Sequence, residues 1–345
     1  MSTPLLDEIF ALNSQVTQRY SPTDRQGLYT KLKALSPAEG QTLRDRCLAS
    51  GIPEHLTLLA LCHRIGSGVA LDPAKAVELF QRASDLGDSN AMHGLGISLQ
   101  KGIGIAKDEA KAVEWYRKSA DLGNPMAMNE LGYCLKKGIG LPKDETKGVE
   151  WYQKSADLGN PIAMSNLGKS LMDGAGIAKD ETKGVEWFRR SADLGDPKAM
   201  NALGKCLLDG VGIPKDEESA IEWLRRAKIG PSYWRLGELF EKRHPRAVAL
   251  RYFYKAWAYY PKGPNKERCR KRIEFHLRSP HPRIQIVRQW SEMADETDAL
   301  RTENARLKAE NEALRTELDH RPGGGGFDWA RRDFEAMASV DVVQI

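Results

Sequence analysis

Residues 76–222 of this 345-residue chain repeat one pattern at a fixed interval. Val77, Val113, Val149, Val185 and Ile221 follow one another 36 residues apart without a slip. A period of that size marks a two-element unit that is too small to enclose a core alone and becomes stable by stacking on its neighbours. The chain is thereby constrained to a one-dimensional stack closed by terminal modules.

Each copy reads as two helices. In one copy the first runs through Ala127–Leu135 and the second through Lys147–Asp157. Gly138 and Gly140 break the chain between them, and Leu158-Gly159 ends the second, where glycine suits a left-handed cap. Asp144 stands at the N-cap of the second helix, and Asp72, Asp108, Asp180 and Asp216 recur there. Neither helix is long enough to be stable alone. Gly96, Gly132, Gly168, Gly204 and Gly237 fall inside first helices, where glycine costs about 1 kcal/mol relative to alanine and close helix approach must offset it.

The pattern AM-x2-LG-x2-L-x2-G-x-G, followed by D-x2-K and V-E-W-x4-A-x2-G, resembles the Sel-one-like repeat family, a relative of tetratricopeptide repeats. The resemblance covers residues 55–260. It implies a curved superhelix that binds other proteins, and it implies no reaction. The expected fold is all-α: a right-handed superhelical solenoid of about six two-helix units, followed by a C-terminal coiled-coil helix. Some secreted members of that family join the two helices of a unit with paired cysteines. Here Cys62, Cys134 and Cys206 alternate with Ser98 and Ser170 in the period, and the second helices offer no partner. With Cys47 and Cys269 isolated, all five cysteines read as structural thiols in tight packing.

Around the repeats, residues 1–54 break the period and read as an N-terminal helical cap, with Leu5, Leu6, Ile9, Phe10 and Leu12 on one helix. Residues 55–75 are a degenerate first unit, in which His63 replaces the leucine of later copies. That histidine has no accompanying ligand cluster, so it reads as a partly buried substitution. Leu236-Gly237 and residues 249–256 form a sixth, terminal unit that closes on aromatics such as Tyr233, Trp234, Phe240 and Phe253. Residues 261–283 are a basic linker helix. Residues 284–319 carry heptads, and 320–345 a glycine-rich linker with a short tail motif.

The net charge of +5 is uneven: residues 225–288 hold +14, which leaves −9 for the remainder. The N-terminus lacks a basic region before a long apolar run, and no apolar stretch approaches the roughly 20 residues that span a bilayer, so a cytoplasmic protein is expected. Nothing in the sequence points to catalysis, a metal or a cofactor. The GIG and GAG triplets lie between helices with no strand before them and no Gly-Lys-Ser/Thr, and the seven histidines form no metal-binding spacing. Glu78–Arg82, Glu114–Lys118, Glu150–Lys154, Glu186–Arg190 and Glu222–Arg226 are spaced as helical ion pairs on a solvated face.

Three surfaces are the candidates for function. In the first helices the positions opposite the unchanging side vary between copies: His93, Asn129, Ser165 and Asn201; Ile97, Tyr133, Lys169 and Lys205; Lys136, Met172 and Leu208. The resemblance places this helix on the concave face, so these residues are expected to bind a protein segment. Leu300, Leu307 and Leu314 at d, with Asn304, Asn311 and Leu318 at a, predict a parallel homodimer, with Glu303 facing Lys308 and Glu310 facing Arg315 of the other strand. A heterodimer suits the same charges. The basic, aromatic segment 225–288, with Arg268, Arg270, Lys271 and Arg272, gives the alternative of nucleic-acid binding, or of an acidic partner.

Overall fold

The computed structural model describes residues 4–18, 22–243 and 246–277, which form sixteen helices and no strand. Four precede the regular units: α1 (Pro4–Gln18), α2 (Pro22–Lys33), α3 (Pro37–Ser50) and α4 (Pro53–Ile65). Then follow α5 (Pro73–Asp85), α6 (Ser89–Lys101), α7 (Glu109–Asp121), α8 (Pro125–Lys137), α9 (Glu145–Asp157), α10 (Pro161–Asp173), α11 (Glu181–Asp193), α12 (Pro197–Asp209) and α13 (Glu217–Ala227). The series ends with α14 (Gly230–Arg243), α15 (Arg246–Tyr259) and α16 (Pro264–Leu277). The coiled coil and tail expected over 284–345 lie outside the described residues.

The local chemistry of one unit explains its turns. Asn124 caps α8 through hydrogen bonds donated by the backbone N–H groups of Met126 and Ala127, and Pro125 occupies the first turn. Gly138 ends α8 at φ 70°. Asp144 then accepts from the Lys147 N–H and starts α9, as Asp72, Asp108, Asp180 and Asp216 do for their own helices. The first helix extends two residues beyond the expected core at each end and the second two residues at its start, because the caps lie outside the apolar pattern. Gly140, at φ 72°, lies so close to the start of α7 that a Cβ on it would come within 2.2 Å of the Glu109 carbonyl oxygen. The loop of each unit is thus wedged against the unit before it.

Phe80, Tyr116, Tyr152 and Phe188 recur on the second helices at the repeat interval and are buried. The last three lie against Gly96, Gly132 and Gly168 of the first helices, and Leu224 replaces the ring against Gly204. The two helices of a unit therefore meet almost backbone to backbone. Ser119, Ser155 and Ser191 add a hydrogen bond each from the second helix to a carbonyl at the start of the first: Ser89, Pro125 and Pro161.

At the N-terminal end, Leu6, Ile9, Leu28, Leu32, Leu43 and Cys47 join Leu56, Leu58 and Leu59 in one core. Gly68 packs on Gly40 of α3, in the way that Gly104 packs on Pro73 of α5. Helix α3 therefore takes the place of a preceding second helix. At the other end α14 and α15 pair, with Phe240, Phe253 and Leu236 buried and Tyr233, Trp234, Tyr252, Tyr254 and Trp257 packed around them. Helix α16 packs on this pair by burying Cys269, Ile273 and His276, so the segment read as a basic linker is part of the terminal core.

Candidate functional site

The variable face of the first helices is divided by what covers it. His93 and Ile97 on α6 line a gap of about 340 Å³ whose other walls include Val16 of α1, Leu28 and Tyr29 of α2, and Arg64 of α4. Helices α1 and α2 thus lie over the face of the first units. They are held there partly by Asn13 donating to the Glu54 carbonyl and by Arg64 donating to the Tyr29 hydroxyl. The outer side of α2 reaches further: Gln26 and Thr30 border a second gap with Pro161 and Pro197, at the starts of α10 and α12, and with Leu194 at the end of α11.

Two of the expected contact residues, His93 and Asn129, are buried. His93 is 9% exposed and Asn129 is 4% exposed. Asn166 of the next unit donates to Asn129 Oδ1 at 2.9 Å, and Asn129 Nδ2 donates to Glu130 Oε1 at 3.2 Å. Asn129 is therefore a joint between units. Burial raises the Glu130 carboxyl above its ordinary range, against the hydrogen bond from Asn129 and the charges of Lys101 and Lys198. The period drew attention to position 129, but Asn166, which holds it, varies between copies and carried no signal.

The rest of the face is more open. Tyr133 is 40% exposed, and Lys169 and Lys205, at the equivalent positions of α10 and α12, are exposed. Ser165 and Asn201 are half-buried, as are Lys136, Met172 and Leu208. Lys136 Nζ donates to Ser170 Oγ at 2.7 Å, and burial lowers its basicity. One unit earlier, Gln100 accepts from the Tyr116 hydroxyl at 3.0 Å and extends toward Cys134 Sγ at 3.6 Å. Position 100 and its equivalent 136 each span to the following unit.

The solvated ion pairs read from the second helices are not formed. Lys118, Lys154, Arg190 and Arg226 instead stack over Trp115, Trp151, Trp187 and Trp223, at 4.3, 4.4, 4.8 and 4.2 Å from the ring centres. Glu78 pairs with Lys75, while Arg82 has no ion pair among the described residues. A cation held on a half-buried indole is partly desolvated on the ring face, which favours it over an exposed carboxylate whose pairing is screened by water.

The four carboxylates of the basic segment pair with three of its arginines, and the segment keeps its excess of positive charge. Arg268 lies 3.6 Å from Glu238 and stacks on Trp234. Arg270 bridges Glu267 and Glu274 at 2.7 and 2.9 Å, and Arg272 meets Glu241. Lys271 has no such partner among the described residues.

No group of histidine, cysteine and acidic side chains among the described residues could hold a metal. His63 is half-buried, with Nδ1 3.3 Å from the Ala70 carbonyl. All five cysteines are buried and free, and burial pushes Cys47, Cys62 and Cys134 up to about 12. Among the described residues no helix is long and apolar enough to cross a membrane.

A search of curated proteins finds no match. Among solved structures, a Sel1 repeat protein from Oxalobacter formigenes aligns at 26% identity with a TM-score of 0.56, over 64% of this chain and 94% of that one. The protective antigen c5321 of uropathogenic Escherichia coli strains, which displays an SLR fold, aligns at 22% identity with a TM-score of 0.58, over 89% of this chain and 68% of that one. The Sel1 repeat profile matches residues 56–88, 89–124, 125–160, 161–196 and 197–228 consecutively, leaving the α14–α15 pair outside the matched copies. With five successive copies spanning half its length in register with the 36-residue period, the chain belongs to the Sel1 repeat family.

Proposed function

We propose that this protein is a non-catalytic, dimeric adaptor that binds a protein segment on the concave face of its repeats and serves in complex assembly. Repeats of this family generally mediate protein–protein interaction. The observation that most supports the reading is the open part of the first-helix face, where a 40% exposed Tyr133 is followed, in the next two units, by exposed Lys169 and Lys205 at the equivalent positions. Aromatic side chains and thioethers on a rigid surface are enriched in interface cores, and lysines belong to their polar rim. Burial of Phe240 and Phe253 in the terminal core withdraws these rings from base stacking, which favours this reading over nucleic-acid binding. Dimerisation is assigned to Leu300, Asn304, Leu307, Asn311, Leu314 and Leu318, outside the described residues, and a monomer in light scattering at micromolar concentration rejects it.

Affinity purification with mass spectrometry tests the groove by comparing the wild type with Tyr133→Ala/Lys169→Ala/Lys205→Ala. These side chains are at the surface, so helicity should be retained. Partners lost in the variant support the adaptor reading, and identical partner lists remove the function from this face.

A further inference from the structure

Bases on the loops of this solenoid are matched by acids. Lys107, Lys143 and Lys179 lie 2.6, 2.6 and 2.7 Å from Glu109, Glu145 and Glu181, and Lys111, Lys147 and Lys183 meet the capping Asp108, Asp144 and Asp180. The open part of the first-helix face departs from this rule. Lys136, Lys169 and Lys205 have no carboxylate within ion-pair distance among the described residues; Asp173 and Glu145 act on Lys136 only from further away, and its Nζ donates to Ser170. Tyr133, Met172 and Leu208 place apolar surface on the same face. The chemistry that fits is a peptide with several carboxylates, several apolar side chains and no base.

The chain itself contains such a segment. Residues 333–345, DFEAMASVDVVQI, carry Asp333, Glu335 and Asp341 with Phe334, Met337 and Val340, and contain no lysine or arginine. Residues 278–332 precede it and supply enough chain to reach any unit, since even at the helical rise of 1.5 Å per residue they span about 80 Å. Covalent linkage makes the local concentration of such a segment far higher than that of a free peptide. We propose that residues 333–345 dock within the same chain on the open part of the first-helix face, with their carboxylates against Lys136, Lys169 and Lys205 and Phe334 against Tyr133. This rests on the reading of that face as a peptide-binding surface, and it makes the tail a competitor that an outside partner must displace.

Zero-length carbodiimide coupling of the full chain, read by mass spectrometry, tests it directly. Amide links from Asp333, Glu335 or Asp341 to Lys169 or Lys205 are expected, and in dimers made by unfolding heavy and light chains together and refolding them they should join light to light and heavy to heavy. Absence of these links, or heavy-to-light links as frequent as like-to-like ones, overturns the proposal. Cleavage after Glu335 by a glutamate-specific protease gives a second measure, expected to run several-fold faster in Lys169→Glu/Lys205→Glu than in the wild type. Equal rates also overturn it. Failure of both measures leaves the groove standing if the partner purification still responds to Tyr133, so the two readings fail separately.

Discussion

Tyr152 of α9 lies so close to Gly132 of α8 that a Cβ added to the glycine would stand 2.8 Å from the tyrosine ring and 2.8 Å from the Gly148 carbonyl oxygen. On an exposed helix, glycine to alanine stabilises by about 1 kcal/mol. Here the added methyl group meets backbone on one side and a buried ring on the other, so Gly132→Ala should destabilise and Gly132→Leu should cost about 3 kcal/mol. Urea melts give the magnitude. Hydrogen exchange should place the loss in α8 and α9 first, because each unit contacts only its neighbours.

The stacked cations make a prediction that separates them from the ion pairs expected from spacing. Glu150→Gln should change stability by less than about 0.5 kcal/mol, since the Glu150 side chain is exposed and Lys154 is committed to Trp151. Trp151→Ala should cost about 2 kcal/mol through lost burial and the lost cation contact. Comparable effects of the two substitutions in thermal melts would restore the ion-pair reading.

The capping aspartates set a dependence on acid. Backbone N–H groups of Lys111, Lys147 and Lys183 hold Asp108, Asp144 and Asp180 below their ordinary pKa. Their contribution is therefore fully present above the unfolded value of about 4 and is lost as pH falls through the lower folded values. Asp88 and Glu130 act in the opposite sense, because burial raises both. Replacing the three caps by asparagine keeps the hydrogen bond and removes the titration. The variant's melting temperature should consequently fall less than that of the wild type between about pH 5 and pH 3.

The thiols should be silent in the native state. Burial raises all five, with Cys47, Cys62 and Cys134 pushed up to about 12 and Cys269 to about 11. At pH 8 an aromatic disulfide reagent should titrate none of them on the time scale of minutes and all five after addition of guanidinium, because the thiolate is the reacting species. A thiol that reacts rapidly in the native protein would identify an accessible cysteine.

The sequence by itself determined the unit and its stacking. The interval from Val77 to Ile221, the capping Asp144, the turn Gly140 and the helical Gly132 each express a local rule repeated at each copy, so one chain of 36 residues predicts the next. The period also showed that Cys134 and Ser170 occupy a tight place. Tertiary structure decided which part of the variable face is open. His93 and Ile97 look equivalent to Ser165 and Lys169 by sequence, yet α1 and α2 fold back over the first pair and not the second. It also decided that Asn129 serves Asn166 of the next unit, and that Lys154 chooses Trp151 over Glu150. Those outcomes depend on how neighbouring units and the terminal helices dock. Side chains that share a turn in sequence compete there for partners brought in from elsewhere in the chain, and periodicity contains no information about that competition.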